Sequence, residues 1–248
     1  MPFQKGDFIL IDYVARVSET GEAFDTTMEE VAKKEGIHRE GGIYEPNLVA
    51  LGEGWVLKAL DESLINLKLH KTEKIEIPPE KAFGNRDPEK TRMYPLRKLA
   101  SQGVTPQIGM RFEVDGRLAI VRTVGSGRVL LDFNPPLAGK TLVYEVTIQK
   151  KLKTADEKIA ALIHRRMPQV SVDKFTLEIG KDQITIGVPE EAFYVEGLQL
   201  MKRGIFVDIQ KFYPKVKTVR FVETFKKSEP AEEKPSSEKP PESTGGSQ

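Results

Sequence analysis

Residues 51–85 constrain this chain more than any other stretch. They open Leu51-Gly52-Glu53-Gly54-Trp55-Val56-Leu57 and close Pro78-Pro79-Glu80-Lys81-Ala82-Phe83-Gly84-Asn85. Between these ends Val56, Leu57, Leu60 and Leu64 recur at helical spacing, which puts all four on one face. Two glycines precede the helix, and a strand-like run, residues 72–77, follows the next loop. The result is a short unit of helix, strand and glycine-containing turn, with the apolar start of the helix facing a concave sheet. A plain core helix with ordinary turn glycines satisfies the same pattern, so the unit acquires a function only from its surroundings.

Upstream, Ile9, Ile11, Tyr13, Ala15 and Val17 alternate as one face of a strand. Ser18-Glu19-Thr20-Gly21 reads as a turn and Ala23-Phe24-Asp25 as the next short strand. Thr26 or Thr27 with Glu29 or Glu30 predicts a capping box opening a helix that stops at Gly36. Residues 48–51 read as a short apolar strand. Beyond Asn85, Met93-Tyr94-Pro95-Leu96-Arg97-Lys98-Leu99 predicts a turn of helix. Asp115-Gly116 between two apolar runs predicts a hairpin, because that turn needs positive φ. Gly125-Ser126-Gly127 is another turn, residues 129–133 another strand, and Leu142, Tyr144, Val146 and Ile148 alternate again. Residues 86–131 thus read as a β-rich insertion whose two ends return to one place in a host domain. Residues 155–166 predict a helix with Ile159, Leu162, Ile163 and Met167 on one side. Residues 175–179 and 184–188 predict a hairpin, and Pro189 starts a helix to about Arg203, closed by Gly204. Residues 205–212 fit either class, residues 219–225 read as a closing strand, and residues 227–248, rich in Glu, Lys, Ser and Pro, predict disorder.

The segments Ile9-Leu10-Ile11-Asp12-Tyr13, Gly21-Glu22-Ala23-Phe24-Asp25-Thr26-Thr27, the 51–85 unit, Asp132-Phe133-Asn134-Pro135-Pro136-Leu137-Ala138-Gly139 and Leu142-Val143-Tyr144-Glu145-Val146 resemble, in order and spacing, an FKBP-type peptidyl-prolyl isomerase. The likeness covers about residues 4–153 and is closest to the long archaeal branch related to SlyD-like isomerases. It implies an α+β fold: an antiparallel sheet wrapped on a short helix (1–85 plus 132–153), an inserted insert-in-flap chaperone domain (86–131) and a C-terminal α+β domain (154–226).

The resemblance also implies a site. Tyr13 and Phe24 are expected as aromatic walls and Asp25 as the polar group near the twisting amide. Val56 and Leu57 are expected at the helix entrance, with the Val56 N–H offered to a substrate carbonyl, and Leu60 as the pocket floor. Phe83 stands where most members carry tyrosine; Leu137 and Tyr144 close the remaining sides, Tyr144 where phenylalanine is usual. Met93, Tyr94, Leu96, Leu99, Met110 and Phe112 are expected to grip unfolded chains. Each has a plainer reading as core, and Asp25 as a helix cap. The missing Phe83 hydroxyl predicts weakened activity and a poor fit to macrolide inhibitors. Trp55, the single tryptophan, is expected at the rim.

Composition narrows the function classes. With 38 basic and 37 acidic residues in 248, net charge is +1, which offers no footprint for nucleic acid and no polybasic membrane anchor. The absence of cysteine excludes thiol catalysis and disulfides and fits a reducing cytoplasm. No run reaches membrane-spanning length, and the first residues show no signal-peptide core. His38, His70 and His164 follow no metal spacing and read as surface residues; no cofactor is expected. The leading reading is an isomerase and folding chaperone acting on Xaa-Pro bonds of unfolded or nascent chains. A holdase with little turnover is the second, and a ribosome-associated module around Lys211, Lys215, Lys217 and Arg220 the third. For the C-terminal domain the sequence leaves homodimerisation and client binding open.

Overall fold

The computed structural model describes residues 3–226; the stretch 227–248, expected to be disordered, lies outside them. The fold is α+β, in two compact units, residues 1–169 and from residue 170 onward.

The first unit begins with β1 (Phe8–Val17), β2 (Ala23–Thr26), α1 (Glu29–Lys34), β3 (Asn47–Ala50), α2 (Lys58–Leu64) and β4 (Thr72–Ile77). The insertion follows as β5 (Thr91–Pro95), α3 (Leu96–Ala100), β6 (Arg111–Val114), β7 (Arg117–Gly125) and β8 (Arg128–Asp132); β9 (Leu142–Leu152) and α4 (Ala155–Arg166) complete the unit. The host sheet runs β2-β1-β9-β4, with β3 on the other half of the β1 edge, and every pairing is antiparallel. Ile9, Ile11 and Ala15 turn from β1 onto the core with Leu60 and Leu64 of α2 and Val146 and Ile148 of β9. Burying a Leu or Ile side chain of this kind contributes about 1.5–3 kcal/mol, so one short helix suffices to hold the concave side.

The insertion is a four-stranded antiparallel sheet, β5-β8-β7-β6, with its own core of Leu99, Val114, Ala119, Val121, Val129 and Leu131. Its hairpin turns sit where the sequence puts them: Asp115 and Gly116 have φ 50° and 73°, Ser126 and Gly127 49° and 74°. Residues 93–95, expected as the start of the helical turn over 93–99, belong to strand β5. β5 is an edge strand, which tolerates Pro95, and the helix starts only at Leu96. Thr26 and Thr27 do not cap α1, whose N-cap Met28 receives no side-chain cap. They clamp strands instead: Thr26 Oγ1 donates to the Tyr13 carbonyl at 2.8 Å, and Thr27 Oγ1 accepts from Tyr13 N at 3.0 Å.

A true capping box opens α4. Thr154 Oγ1 accepts from Glu157 N at 3.2 Å, and Glu157 accepts from Thr154 N at 3.2 Å. Lys150 first, then the Lys153 and Thr154 backbone N–H groups, hold the Glu157 carboxyl at about 2.

The second unit contains β10 (Thr176–Ile179), β11 (Gln183–Val188), α5 (Leu198–Phe212) and β12 (Thr218–Glu223). β10 and β11 are antiparallel, β11 and β12 parallel; a parallel pair needs a crossover, and α5 supplies it. The expected helix ending at Gly204 is corrected. Pro189 leads only a 3-10 turn, Gly197 adopts φ 77°, and the helix then runs through Gly204 to Phe212. An interior glycine costs about 1 kcal/mol; the complete burial of Ile205 and Ile209 beyond it outweighs that.

Candidate active site

The β1–β2 crossing carries the polar group of the site. Register pairs Ala15 with Asp25, which brings the Tyr13 ring beside Asp25; the Tyr13 hydroxyl donates to Asp25 Oδ2 at 2.7 Å. Tyr144, on the neighbouring strand β9, packs its ring 5.8 Å from that of Tyr13 and edge-on to Phe24 at 6.2 Å. Three rings and one carboxylate thus share a wall. Burial, then the Asp25 hydrogen bond, push the Tyr13 hydroxyl far above its ordinary range. Burial, then the Asp25 charge, push that of Tyr144 up to about 12. Both phenols therefore remain proton donors at neutral pH. Among the described residues, no hydrogen bond occupies the Tyr144 hydroxyl.

Val56, Leu57 and Leu137 are half-buried against the same core. Leu57 is the N-cap of α2, so Val56 stands just before the helix, and no described residue accepts from its N–H. The loop that presents Val56 is braced by a residue the sequence reading did not single out. Asp61, buried in the first turn of α2, accepts from Gly52 N at 2.9 and 3.0 Å and from Gly54 N at 3.3 Å. Its signal in the sequence is the acidic residue following a glycine pair by less than ten positions.

Leu60 and Phe83 stand differently from expectation. Leu60, expected to meet substrate as the floor, is 1% exposed and supports the cradle from inside the core. Phe83 is 43% exposed on the rim. Its loop is tied to the Leu137 loop by the Gly139 N–H, which donates to the Gly84 carbonyl at 2.8 Å.

On the insertion, Leu99 is corrected: expected on a client-gripping surface, it is fully buried in the insertion's core, on which Tyr94, Leu96 and Phe112 also pack. Met93 and Met110 are exposed, and Ile108, Leu118 and Val124, which the sequence reading passed over, are exposed beside them in the same domain. Leu118 is exposed near the start of β7, before the buried run 119–121.

His164 is corrected as well. It is half-buried on α4, with Nε2 2.7 Å from Glu45 Oε1, and its neighbour Arg165 stacks 4.0 Å from the Trp55 ring centroid. Trp55 is half-buried at the rim, edge-on to Phe8.

An antiparallel sheet curled on one short helix thus bears a cradle of three rings, aliphatic side chains and a single carboxylate. The sequence model described as FKBP26, IF domain, matches residues 92–137, and that described as FKBP26 C-terminal matches 155–226. A short-type peptidyl-prolyl cis-trans isomerase of Methanocaldococcus jannaschii is 34% identical over 146 residues, which is 59% of this chain and 92% of that protein. The FKBP-type isomerase SlyD of Treponema pallidum is 34% identical over 118 residues, 46% of this chain and 66% of that one. The FKBP-type 16 kDa isomerase of Escherichia coli is 28% identical over 109 residues, 42% and 72% respectively. The chain belongs to the FKBP-type peptidyl-prolyl cis-trans isomerases, on their SlyD-like side.

Proposed function

We propose that this protein catalyses cis/trans isomerisation of Xaa-Pro bonds in unfolded chains, with Tyr13, Phe24, Val56, Leu57, Leu137 and Tyr144 as the cradle and Asp25 as its polar group. The observation that carries the reading is the Tyr13–Asp25 hydrogen bond beside the packed Tyr13, Tyr144 and Phe24 rings. Prolyl rotation has a barrier of about 20 kcal/mol, set by amide conjugation. The twisted state loses that conjugation and its charge separation, so an apolar, water-poor cradle favours it over the planar state without nucleophile or cofactor. The free Val56 N–H holds a substrate carbonyl, and the Asp25–Tyr13 pair fixes the wall against which the bond turns.

The exposed Met93, Met110, Ile108 and Leu118 of the insertion support capture of unfolded segments there, since flexible methionines adapt to varied partners. Capture on a tethered domain raises the local concentration of prolyl bonds at the cradle. The same reading, with such clients, puts the protein in the cytoplasm among nascent chains. In the second unit, Leu200 and Val207 on α5 and Val222 on β12 are exposed and suit pairing with a second copy; sedimentation that gives a monomer at micromolar concentration removes that role.

The rim Phe83 favours the holdase reading, because it removes a hydroxyl from the site. Phe83→Tyr is expected to raise kcat/KM by up to roughly tenfold, the worth of one hydrogen bond of about 0.5–1.5 kcal/mol. Refolding of a protein limited by prolyl isomerisation separates the two readings. A catalyst accelerates the slow phase at substoichiometric amounts; a holdase retards refolding and acts only in stoichiometric excess.

A further inference from the structure

The loop between α1 and β3 is tied down residue by residue. Gly36 takes φ 69° just past α1, and the Ile37 N–H donates to the Ala32 carbonyl at 3.0 Å, which closes the helix with a left-handed cap. The His38 and Tyr44 rings then stack, 5.4 Å apart and 15° from parallel. Between them Arg39 is held at both backbone groups. Its N–H donates to the Tyr44 hydroxyl at 2.9 Å, and its carbonyl accepts from Gly42 N at 3.0 Å. Gly42 lies so close that a Cβ there would fall 3.0 Å from the Tyr44 ring. The backbone under Arg39 is thus fixed, yet among the described residues its guanidinium has no ion pair, hydrogen bond or ring contact. Arg39 lines a cavity of about 200 Å³ with Phe24, Asp25, Thr26 and Tyr44. Asp25 is the one acidic residue in that lining, and it already accepts from the Tyr13 hydroxyl.

We propose that Arg39 is a specificity-determining residue that receives a carboxylate of the substrate chain, from an aspartate or glutamate next to the Xaa-Pro pair. The inference rests on the isomerase reading. Asp25 belongs to the cradle and to this cavity alike, and adjacent residues of an extended chain are about 3.3–3.6 Å apart. A chain leaving the cradle on this side therefore meets Arg39 close to the bond that rotates. A guanidinium offers a planar fork of donors that matches a carboxylate. The tied loop lowers the entropy lost when that fork is engaged, because the backbone beneath it is already ordered. Arg39 also answers a problem of the site itself. The Asp25 charge repels acidic chains from this wall, and an unpaired cation beside it offsets that repulsion.

The test is the ratio of kcat/KM between peptides that carry glutamate and glutamine at one position, measured with the full chain. In one pair that position directly precedes a Leu-Pro unit; in the other it directly follows. The native protein is expected to favour glutamate by about threefold in at least one pair, the worth of an exposed ion pair. The preference should lie in KM rather than kcat, since the contact is the same before and during rotation, and should narrow as salt is raised. Arg39→Gln should bring the ratio near one, Arg39→Glu should invert it, and Arg39→Lys, which keeps the charge, should keep part of it. A purely structural role for Arg39 would slow both members of a pair alike and leave the ratio unchanged. Equal kcat/KM for glutamate and glutamine in both pairs, or a preference that survives Arg39→Gln, overturns the inference and leaves the isomerase reading intact. No acceleration of any peptide overturns both.

Discussion

Replacing Asp25 by alanine is expected to lower kcat/KM for a short Xaa-Pro peptide by about tenfold, at a stability cost of no more than about 1.5 kcal/mol. Asp25 is exposed and makes one side-chain hydrogen bond, from the Tyr13 hydroxyl at 2.7 Å, so folding does not depend on it strongly. A hydrogen bond to a charged group contributes about 1.5–3 kcal/mol. Exposure puts this one at the low end, and about 1.4 kcal/mol corresponds to tenfold. Tyr13→Phe should produce a similar loss. The double variant should be no worse than either single one, because both changes remove the same interaction. A kcat/KM within twofold of native for Asp25→Ala would show that the bond turns elsewhere. The plainer alternative, that Asp25 caps α1, is already excluded, since the N-cap is Met28 and carries no side-chain cap.

The largest expected effect on stability is at Asp132, where the insertion rejoins the host sheet. Its side chain is 1% exposed and accepts from Arg122 Nη2 at 2.8 Å, Arg122 Nε at 2.9 Å, Asn134 Nδ2 at 2.8 Å and Asn134 N at 3.0 Å; Arg86 pairs with it too. Asn134 in turn binds both backbone groups of Asp87 at 2.9 Å. The two chain crossings between host and insertion are therefore joined through one carboxylate. Asp132→Ala leaves the Asn134 backbone N–H and one of its two Nδ2 hydrogens buried without an acceptor, the other still donating to the Asp87 carbonyl, and two guanidinium groups facing each other. Loss of one partner of a buried pair costs about 3–5 kcal/mol; the arginine side chains are 43% and 39% exposed, and water takes over part of their charge, so about 2–4 kcal/mol is expected by chemical denaturation.

The pH dependence of this group follows from its shift. Burial works to raise the Asp132 carboxyl, but the Asn134 hydrogen bonds, Arg122 and the Arg86 charge outweigh it and hold it below the ordinary 3.8. A carboxyl depressed in the folded state stabilises the fold fully above its unfolded value and loses that contribution as pH falls through the folded one. Native stability should thus drop below about pH 3.8 more steeply than that of Asp132→Asn.

Local periodicity made several elements legible. The alternation Leu142, Tyr144, Val146, Ile148 is β9, the spacing of Ile159, Leu162 and Ile163 is α4, and Asp115-Gly116 is a hairpin turn. Each is set by neighbours in sequence. The misreadings arise where tertiary packing decides. Met93-Tyr94 mimic a helix start, yet they pair with Leu130 and Val129 of β8. Gly204 looks like a helix end, yet α5 continues because Ile205 and Ile209 fill the core of the second unit. Thr26 and Thr27 look like caps until β1 supplies better partners.

The site divides in the same way. Tyr13, Phe24, Asp25, Val56 and Tyr144 were marked by family resemblance, and the fold brings the three rings and the carboxylate together. The braces that α4 supplies left no trace in the sequence. Arg165 meets Trp55, and His164 meets Glu45 119 positions away. Such pairings carry no period, and a charged helix face normally reads as solvated.

The central claim is that prolyl bonds rotate in this cradle. Exchange spectroscopy on a short Leu-Pro peptide, with the intact protein, measures the rotation rate directly and needs no coupled protease. The account predicts cis/trans exchange accelerated well above the uncatalysed rate of once in tens of seconds, and depressed about tenfold by Asp25→Ala. An unaccelerated rate, alongside binding of an unfolded chain by the same sample, would contradict it and leave a chaperone that holds prolyl segments without turning them over.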